Sequence, residues 1–349
     1  MRRTHLAWLV AGALSASFSA MAQAPKMQTP TSDDAYLWLE DVEADKSLDW
    51  VRARNAVSED QLAKAPGFEA LRSDLLSILD SNARIPFVGK MGEFYYNFWR
   101  DKTNPQGVWR RTTLAEFRKN APQWEVLLDI DALGKAEGTN WVWGGAECLR
   151  PDYDRCLINL SRGGADATVT REFDVSDRAF VKGGFERPEA KGDLGWIDID
   201  TVYVGTDFGA GSMTSSGYAR IAKQWKRGTP MAEAKVVYEG QDADIAVTAF
   251  HDSTPGYERD FVYRGLTFYT NELFLRGKDG GLTKLDLPDG SQKGVVREWL
   301  TVELRQPWTI GGEDHAAGAL LAIKLDEFMA GKRDFDVIDR KSTRLNSSH

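Results

Sequence analysis

The chain has 349 residues, 42% of them hydrophobic and 12 of them tryptophan, enough apolar material for one large or two modest domains. Its formal net charge of −8, with no block of lysine or arginine beyond the first residues, excludes a nucleic-acid partner, which demands a basic surface.

The chain opens MRRTHLAWLVAGALSASFSAMAQAPKM, in which Arg2 and Arg3 precede an apolar run from Leu6 to Ala22 broken by Ser15, Ser17 and Ser19. This is the pattern of a secretory signal peptide over residues 1–22. Cleavage is expected after Ala22, behind the small residues Ala20 and Ala22, because a cut after Ala24 would leave Pro25 next to the scissile bond. A membrane anchor would need about 20 uninterrupted apolar residues. The periplasm is the expected compartment, or secretion beyond it.

Residues 33–85 form a helical segment. Phe68, Leu71, Leu75, Ile78 and Leu79 recur at three and four residues and give one apolar stripe, which Pro66-Gly67 separates from an earlier helix around Leu48 and Val51. From residue 86 to 338 the period changes to short runs rich in aromatic and β-branched residues, such as EFYYNFWRD, WEVLLDI, CLINLS, TVYVGT and LTFYTNELFL, punctuated by Gly and Pro turns. Clusters of such strands begin near Gly92, Trp141, Trp196, Ile245 and Val295, a spacing close to the roughly 40–50 residues of a four-stranded propeller blade. The fold is therefore expected to be mostly β: an incomplete β-propeller of the seven-bladed type with about five blade-like repeats, preceded by the short helical segment. A large β-sandwich shares the strand-and-turn signature but not the repetition.

Cys148 and Cys156 are the only cysteines. They flank Pro151-Asp152-Tyr153, a turn whose two strand-like arms would set the cysteines opposite each other, within disulfide reach in an oxidising compartment. Two buried thiols are the alternative; metal-site spacing of the C-x-x-C kind is absent.

GTDFGAGSMTSSGYAR, Gly205 to Arg220, crowds Ser212, Ser215 and Ser216 among glycines, yet none has Gly two residues before and after it, as a nucleophile elbow requires. His251 and His315 each neighbour an aspartate in sequence, Asp252 and Asp314, but adjacent side chains on a strand point to opposite faces, so neither makes a triad; His349 lies at the end of the chain. Asp198 and Asp200 would share one face of a strand, a geometry open to glycosidase chemistry, although capping of turns by these two and Asp207 is the ordinary use. No cofactor or metal fingerprint occurs. Residues 339–349, ending STRLNSSH, show neither strand nor helix period and resemble the non-native peptides that follow a run-off into foreign DNA.

YLWLEDVEADKSLDWVRARN (Tyr36–Asn55), NPQGVWRRTTLAEF (Asn104–Phe117), LSRGGADA (Leu160–Ala167) and GWIDIDTVYVGTDFGAGSMTSSGYAR resemble, in order, the N-terminal portion of prolyl oligopeptidase-type serine peptidases, over about residues 33–338. The resemblance implies a helical N-terminal piece, a seven-bladed propeller and a C-terminal α/β-hydrolase domain carrying Ser, Asp and His. It implies that the serines of Gly205–Arg220 are propeller loop residues and that the triad follows beyond this chain, so no catalytic residue is assigned here. The implied activity is cleavage of short peptides, typically after proline, with the propeller excluding folded proteins. An autonomous periplasmic propeller used for binding is the alternative.

Overall fold

The computed structural model describes residues 34–340, in two compact units that meet at Ser77/Ile78. The signal-peptide segment and residues 341–349 of the tail lie outside the described residues.

In the first unit a short 3-10 turn, Leu37–Glu40, leads into α1 (Asp45–Ser58), and α2 (Phe68–Leu79) follows. The turn and α1 are pinned by aromatic edges: Trp50 meets Tyr36 at 6.1 Å and Trp38 at 6.3 Å, and Ser47 Oγ donates to the Trp38 carbonyl at 3.1 Å. This accounts for the aromatic spacing of the YLWLE…LDW motif. The apolar stripe of α2 is uncovered; Leu71, Leu75 and Ile78 are 61%, 52% and 62% exposed.

The second unit is a succession of five antiparallel sheets of four or five strands, with one further two-stranded hairpin among the described residues. Blade 1 comprises β1 (Gly89–Met91), β2 (Phe94–Trp99), β3 (Val108–Thr113) and, after the single turn α3 (Leu114–Phe117), β4 (Glu125–Asp129). A short helix, α4 (Ile130–Glu137), capped by Asp129 Oδ1 and closed by Gly138 at φ 63°, leads to blade 2. Blade 2 contains β5 (Trp141–Cys148), β6 (Arg155–Arg162) and β7 (Thr168–Asp174), and β7 pairs with both β8 (Ala179–Phe180) and β9 (Glu186–Ala190). Blade 3 is β10 (Asp193–Asp198), β11 (Thr201–Gly205), β12 (Ile221–Lys226) and β13 (Lys235–Glu239); blade 4 is β14 (Ala246–Asp252), β15 (Arg259–Gly265), β16 (Asn271–Arg276) and β17 (Leu282–Lys284). In blade 5, β18 (Gln292–Val296) and β19 (Trp299–Glu303) are followed by a small separate hairpin, β20 (Trp308–Ile310) and β21 (Glu313–His315), before the sheet resumes with β22 (Leu320–Lys324). A helical turn, α5 (Leu325–Met329), precedes the last strand, β23 (Asp336–Asp339). The extra hairpin was not foreseen, because its short strands carry no alternation that distinguishes them from a loop.

Consecutive blades pack face to face. Trp109 of blade 1 stacks on Trp143 and meets Phe173 of blade 2, at 5.6 and 5.9 Å. Phe185 of blade 2 lies between Trp196 and Trp225 of blade 3. Tyr203 and Ala222 of blade 3 meet Val247, Ala249 and Val262 of blade 4, and Phe261 and Leu273 of blade 4 join Leu300, Val302 and Leu321 of blade 5. These interfaces hold nearly all of the core.

The β5–β6 register sets Cys148 opposite Cys156 around the Pro151-Asp152-Tyr153 turn, and the two are joined as a disulfide. Reduction should release a short loop whose closure is worth about 2–3 kcal/mol, so the melting temperature should fall on adding reductant and Cys148→Ser should show no further fall. Intact-mass analysis checks the premise: a species two protons heavier without reductant would rule the bridge out.

Candidate functional site: the loop face of the propeller

The first strands of blades 2 to 4 come together, β10 against β5 and β14 against β10, with β14 also reaching β11, β12 and β13. Val236 in β13 and Ile338 in β23 are 59% and 61% exposed, so the fourth strands of blades 3 and 5 lie at the surface. In every blade the chain crosses between second and third strands at the same end as the connection to the next blade, because antiparallel strands alternate direction. The two longest crossings, 206–220 and 304–319, share this end with 100–107, 163–167 and 266–270. The opposite end carries the short turns 92–93, 199–200 and 297–298 together with the longer connections 114–124 and 325–335.

The glycine-serine stretch is the crossing of blade 3. Ser212 is buried, and its hydroxyl is fully engaged: it lies 2.6 Å from the Gly209 carbonyl and 3.1 Å from Asp207 Oδ1, and it accepts from the Phe208 amide at 2.8 Å. No imidazole is among its partners, and Ser215 and Ser216 are exposed. The glycines serve the backbone: Gly209 and Gly211 adopt φ of 108° and 78°, where a Cβ is disfavoured. Thus the stretch is a folded loop rather than a nucleophile turn.

The same loop joins three blades. The Tyr218 hydroxyl donates to Asp166 Oδ2 at 2.8 Å, and Lys191 reaches that oxygen at 3.1 Å. Tyr218 and Lys191 thereby hold the Asp166 carboxyl below its usual range. Toward blade 4, Thr214 Oγ1 donates to the Ile245 carbonyl and the Val247 amide to the Ala219 carbonyl. Two motifs distant in sequence, LSRGGADA and GTDFGAGSMTSSGYAR, are thus complementary halves of one contact.

The remaining candidates are dispersed. Asp198 ends β10 and accepts from the Asp200 amide at 2.8 Å, while Asp200 sits in the following turn; the expected shared strand face does not exist, because the strand stops between them. His315 is buried in β21 opposite Trp308. His251 does have a carboxylate partner, though not its neighbour Asp252: its Nδ1 lies 3.0 Å from Asp260 Oδ1 across the β14–β15 pair. Sequence reasoning missed Asp260, although His251 and Asp260 are symmetric about the Pro255-Gly256 turn, the same signal that paired the cysteines. Arg276 extends this contact by donating to the Tyr203 hydroxyl at 3.0 Å and to Gln224 at 3.1 Å. Among the described residues no group of three His, Cys, Asp or Glu side chains is placed to hold a metal ion, and no helix is long and apolar enough to cross a membrane.

Two carboxylates stand on the first strands of blades 2 and 3. Glu147 Oε1 accepts from the Trp196 amide at 3.1 Å, and the Trp196 indole donates to the Glu147 carbonyl at 3.0 Å. Asp193 Oδ1 takes a long hydrogen bond from Thr248 at 3.5 Å. Enclosure by the surrounding strands pushes the Asp193 carboxyl up to about 7; Arg187 and Thr248 oppose the rise and the Glu147 charge adds to it.

Residues 20–297 match the family described as prolyl oligopeptidase, N-terminal beta-propeller domain. The chain belongs to the prolyl oligopeptidase family. An uncharacterized peptidase of Sinorhizobium fredii is 38% identical over 88% of this chain, and one of Rickettsia prowazekii is 28% identical over 85%. The chain spans 43% of the length of each of these relatives. The solved structure of a post-proline cleaving enzyme from Rickettsia typhi is 27% identical, with a TM-score of 0.81 over 87% of this chain and 47% of that one. Oligopeptidase B from Leishmania major shares the fold at 14% identity and a TM-score of 0.63. Within the prolyl oligopeptidase family, blades 1 to 4 and the first strand of blade 5 fall in the residues matched to the propeller that the family description names.

Two titrations test these polar contacts. The hydrogen bond to Asp260 raises the His251 pKa above its ordinary value of 6.5, so the pair stabilises the fold fully below that pH and loses its contribution as the pH rises through the raised value. His251→Gln should cost about 1 kcal/mol at pH 6 and nearly nothing at pH 9, measured by urea denaturation; an equal loss at both pH values would refute the ion pair. Asp193 has the same sign at a lower pH, since its folded pKa near 7 exceeds the ordinary 3.8 and stability declines as the pH rises between the two. Asp193→Asn should flatten that decline and raise the melting temperature at pH 8, and a lower melting temperature there would contradict the shift.

Proposed function

We propose that this chain is the gating propeller of an exported serine peptidase that cleaves short peptides after proline. The observation that carries this reading is the likeness to the Rickettsia typhi enzyme, at 27% identity and a TM-score of 0.81. Post-proline cleavage is the property named for that enzyme, and it is carried over here as a proposal. In this reading the face-to-face blades make a wall that folded proteins cannot pass, so only flexible peptides reach the reacting serine.

Acyl transfer needs a hydroxyl within reach of a base and a set of oxyanion donors. In the described residues Ser212 spends its hydroxyl on Gly209 and Asp207 with no imidazole among its partners, and in this reading the chemistry belongs to another domain of the complete polypeptide. The loop face is the surface proposed to meet that domain, since β1 begins there and the longest crossings project from it. Export is supported by the arginine-led apolar run of residues 1–22 and by the facing cysteines of blade 2.

The purified chain should neither react with a fluorophosphonate probe nor hydrolyse a glycyl-prolyl reporter, whereas the complete polypeptide should do both. Labelling of any serine between Gly205 and Arg220 in the chain alone would sink this reading. For export, N-terminal sequencing of periplasmic material should begin at Gln23; an intact Met1 on cytoplasmic protein would contradict it.

A further inference from the structure

Blade 1 differs from its successors in what its two sides carry. Phe94, Phe98 and Trp109 face blade 2, while the alternate residues Asn97, Trp99 and Arg110 occupy the other side of the same strands. Residues 82–87 cross that side: the Phe87 carbonyl accepts from Asn97 Nδ2 at 2.7 Å, and the Arg84 guanidinium lies 4.6 Å over the Trp99 ring. Between this segment and the sheet is a cavity of about 670 Å³, whose lining includes Arg84, Trp99, Arg110 and Trp124.

Arg110 is the unusual member. Its guanidinium stands between two indoles, 4.6 Å from the Trp99 ring and 4.1 Å from the Trp124 ring. Only its Nε has a hydrogen-bond partner, Asn97 Oδ1 at 3.0 Å; among the described residues its terminal nitrogens meet no acceptor and no carboxylate lies within 4.0 Å. The other charges around the cavity are committed. Asp101 accepts from the Trp99 indole and from the Thr103 and Asn104 amides, and Lys119 is paired with Glu116. Burial lowers the Arg110 pKa to about 10, with Asp101 opposing the fall, so the group remains a cation at neutral pH. A half-buried guanidinium with its two forked nitrogens open, walled by aromatic faces, is the geometry that receives a carboxylate in bidentate fashion with an apolar body beside it.

We propose that this cavity on blade 1 binds a carboxylate ligand with an apolar body, the carboxylate on the terminal nitrogens of Arg110 and the body against Trp99 and Trp124. A peptide C-terminus and an acidic side chain share this chemistry. The inference rests on Arg110 and its surroundings and is independent of the peptidase reading.

The two indoles supply the readout. The chain is titrated with acetyl-Ala-Pro-Phe as the free acid, with the same peptide as its amide, and with acetyl-Ala-Glu-Phe amide, following tryptophan fluorescence and heat. At least one acidic peptide should bind about tenfold or more tightly than the neutral amide; preference for the first identifies a C-terminus, and preference for the third an acidic side chain. Arg110→Met should abolish the preference, and Arg110→Lys should weaken it about fivefold because an ammonium cannot form the fork. Should Arg110→Met fail to fold, Trp124→Leu serves in its place, with an expected loss of about threefold or more in affinity for the acidic peptide. Equal affinity for acid and amide, unchanged binding in the folded variants, or no binding up to about 10 mM would overturn the proposal.

Discussion

The fold depends on one constraint: a small sheet flanked by two others carries apolar side chains on both faces, and neither face can be left to water. The solution is to stack sheets around an axis so that each interface is shared. Trp109, Trp143 and Phe173 do this between blades 1 and 2, and Phe185, Trp196 and Trp225 between blades 2 and 3. Flat rings suit the task because each covers a large area while losing few rotamers, and because edge-to-face contacts tolerate the twist between successive sheets. Four of the 12 tryptophans, Trp109, Trp143, Trp196 and Trp225, serve these two interfaces.

Polar contacts then fix how the blades are oriented. Glu172, almost wholly buried in blade 2, is held by both terminal nitrogens of Arg227 from blade 3, at 2.8 and 3.1 Å. Tyr218 and Asp166 tie the same two blades on the loop face, and Thr214 ties blade 3 to blade 4. A buried ion pair adds little net stability against an apolar substitute, but breaking it leaves an uncompensated charge, so such contacts penalise a slipped interface. Arg187 shows the same logic within blade 2: it is fully buried yet donates to the Pro188 and Ala190 carbonyls and to the hydroxyls of Thr168 and Thr170. Arg110 is the contrast, a cation whose terminal donors are left open.

Loop placement connects this scaffold to function. The glycine-serine stretch looks like catalytic sequence because it combines small residues with hydroxyls, yet Ser212, Thr214, Gly209 and Gly211 are explained by the loop they fold. Its role is architectural, holding three blades in register at the end from which the longest crossings project.

Local physical rules made part of this legible in the sequence. Strand alternation and the spacing of strand clusters determined the five sheets, turn symmetry determined that Cys148 faces Cys156, and the missing elbow glycines determined that Ser212 is not a nucleophile of that kind. The same turn symmetry was available for His251 and Asp260. What the tertiary structure decided was long-range: that Asp166 meets Tyr218, that Glu172 meets Arg227, that Asp193 sits where its charge is disfavoured, and that Arg110 stands between two indoles. None of these has a sequence period, because each depends on how far one sheet is rotated against the next or on which segment crosses a sheet face, and those are set by the summed packing of many side chains rather than by any neighbouring residue.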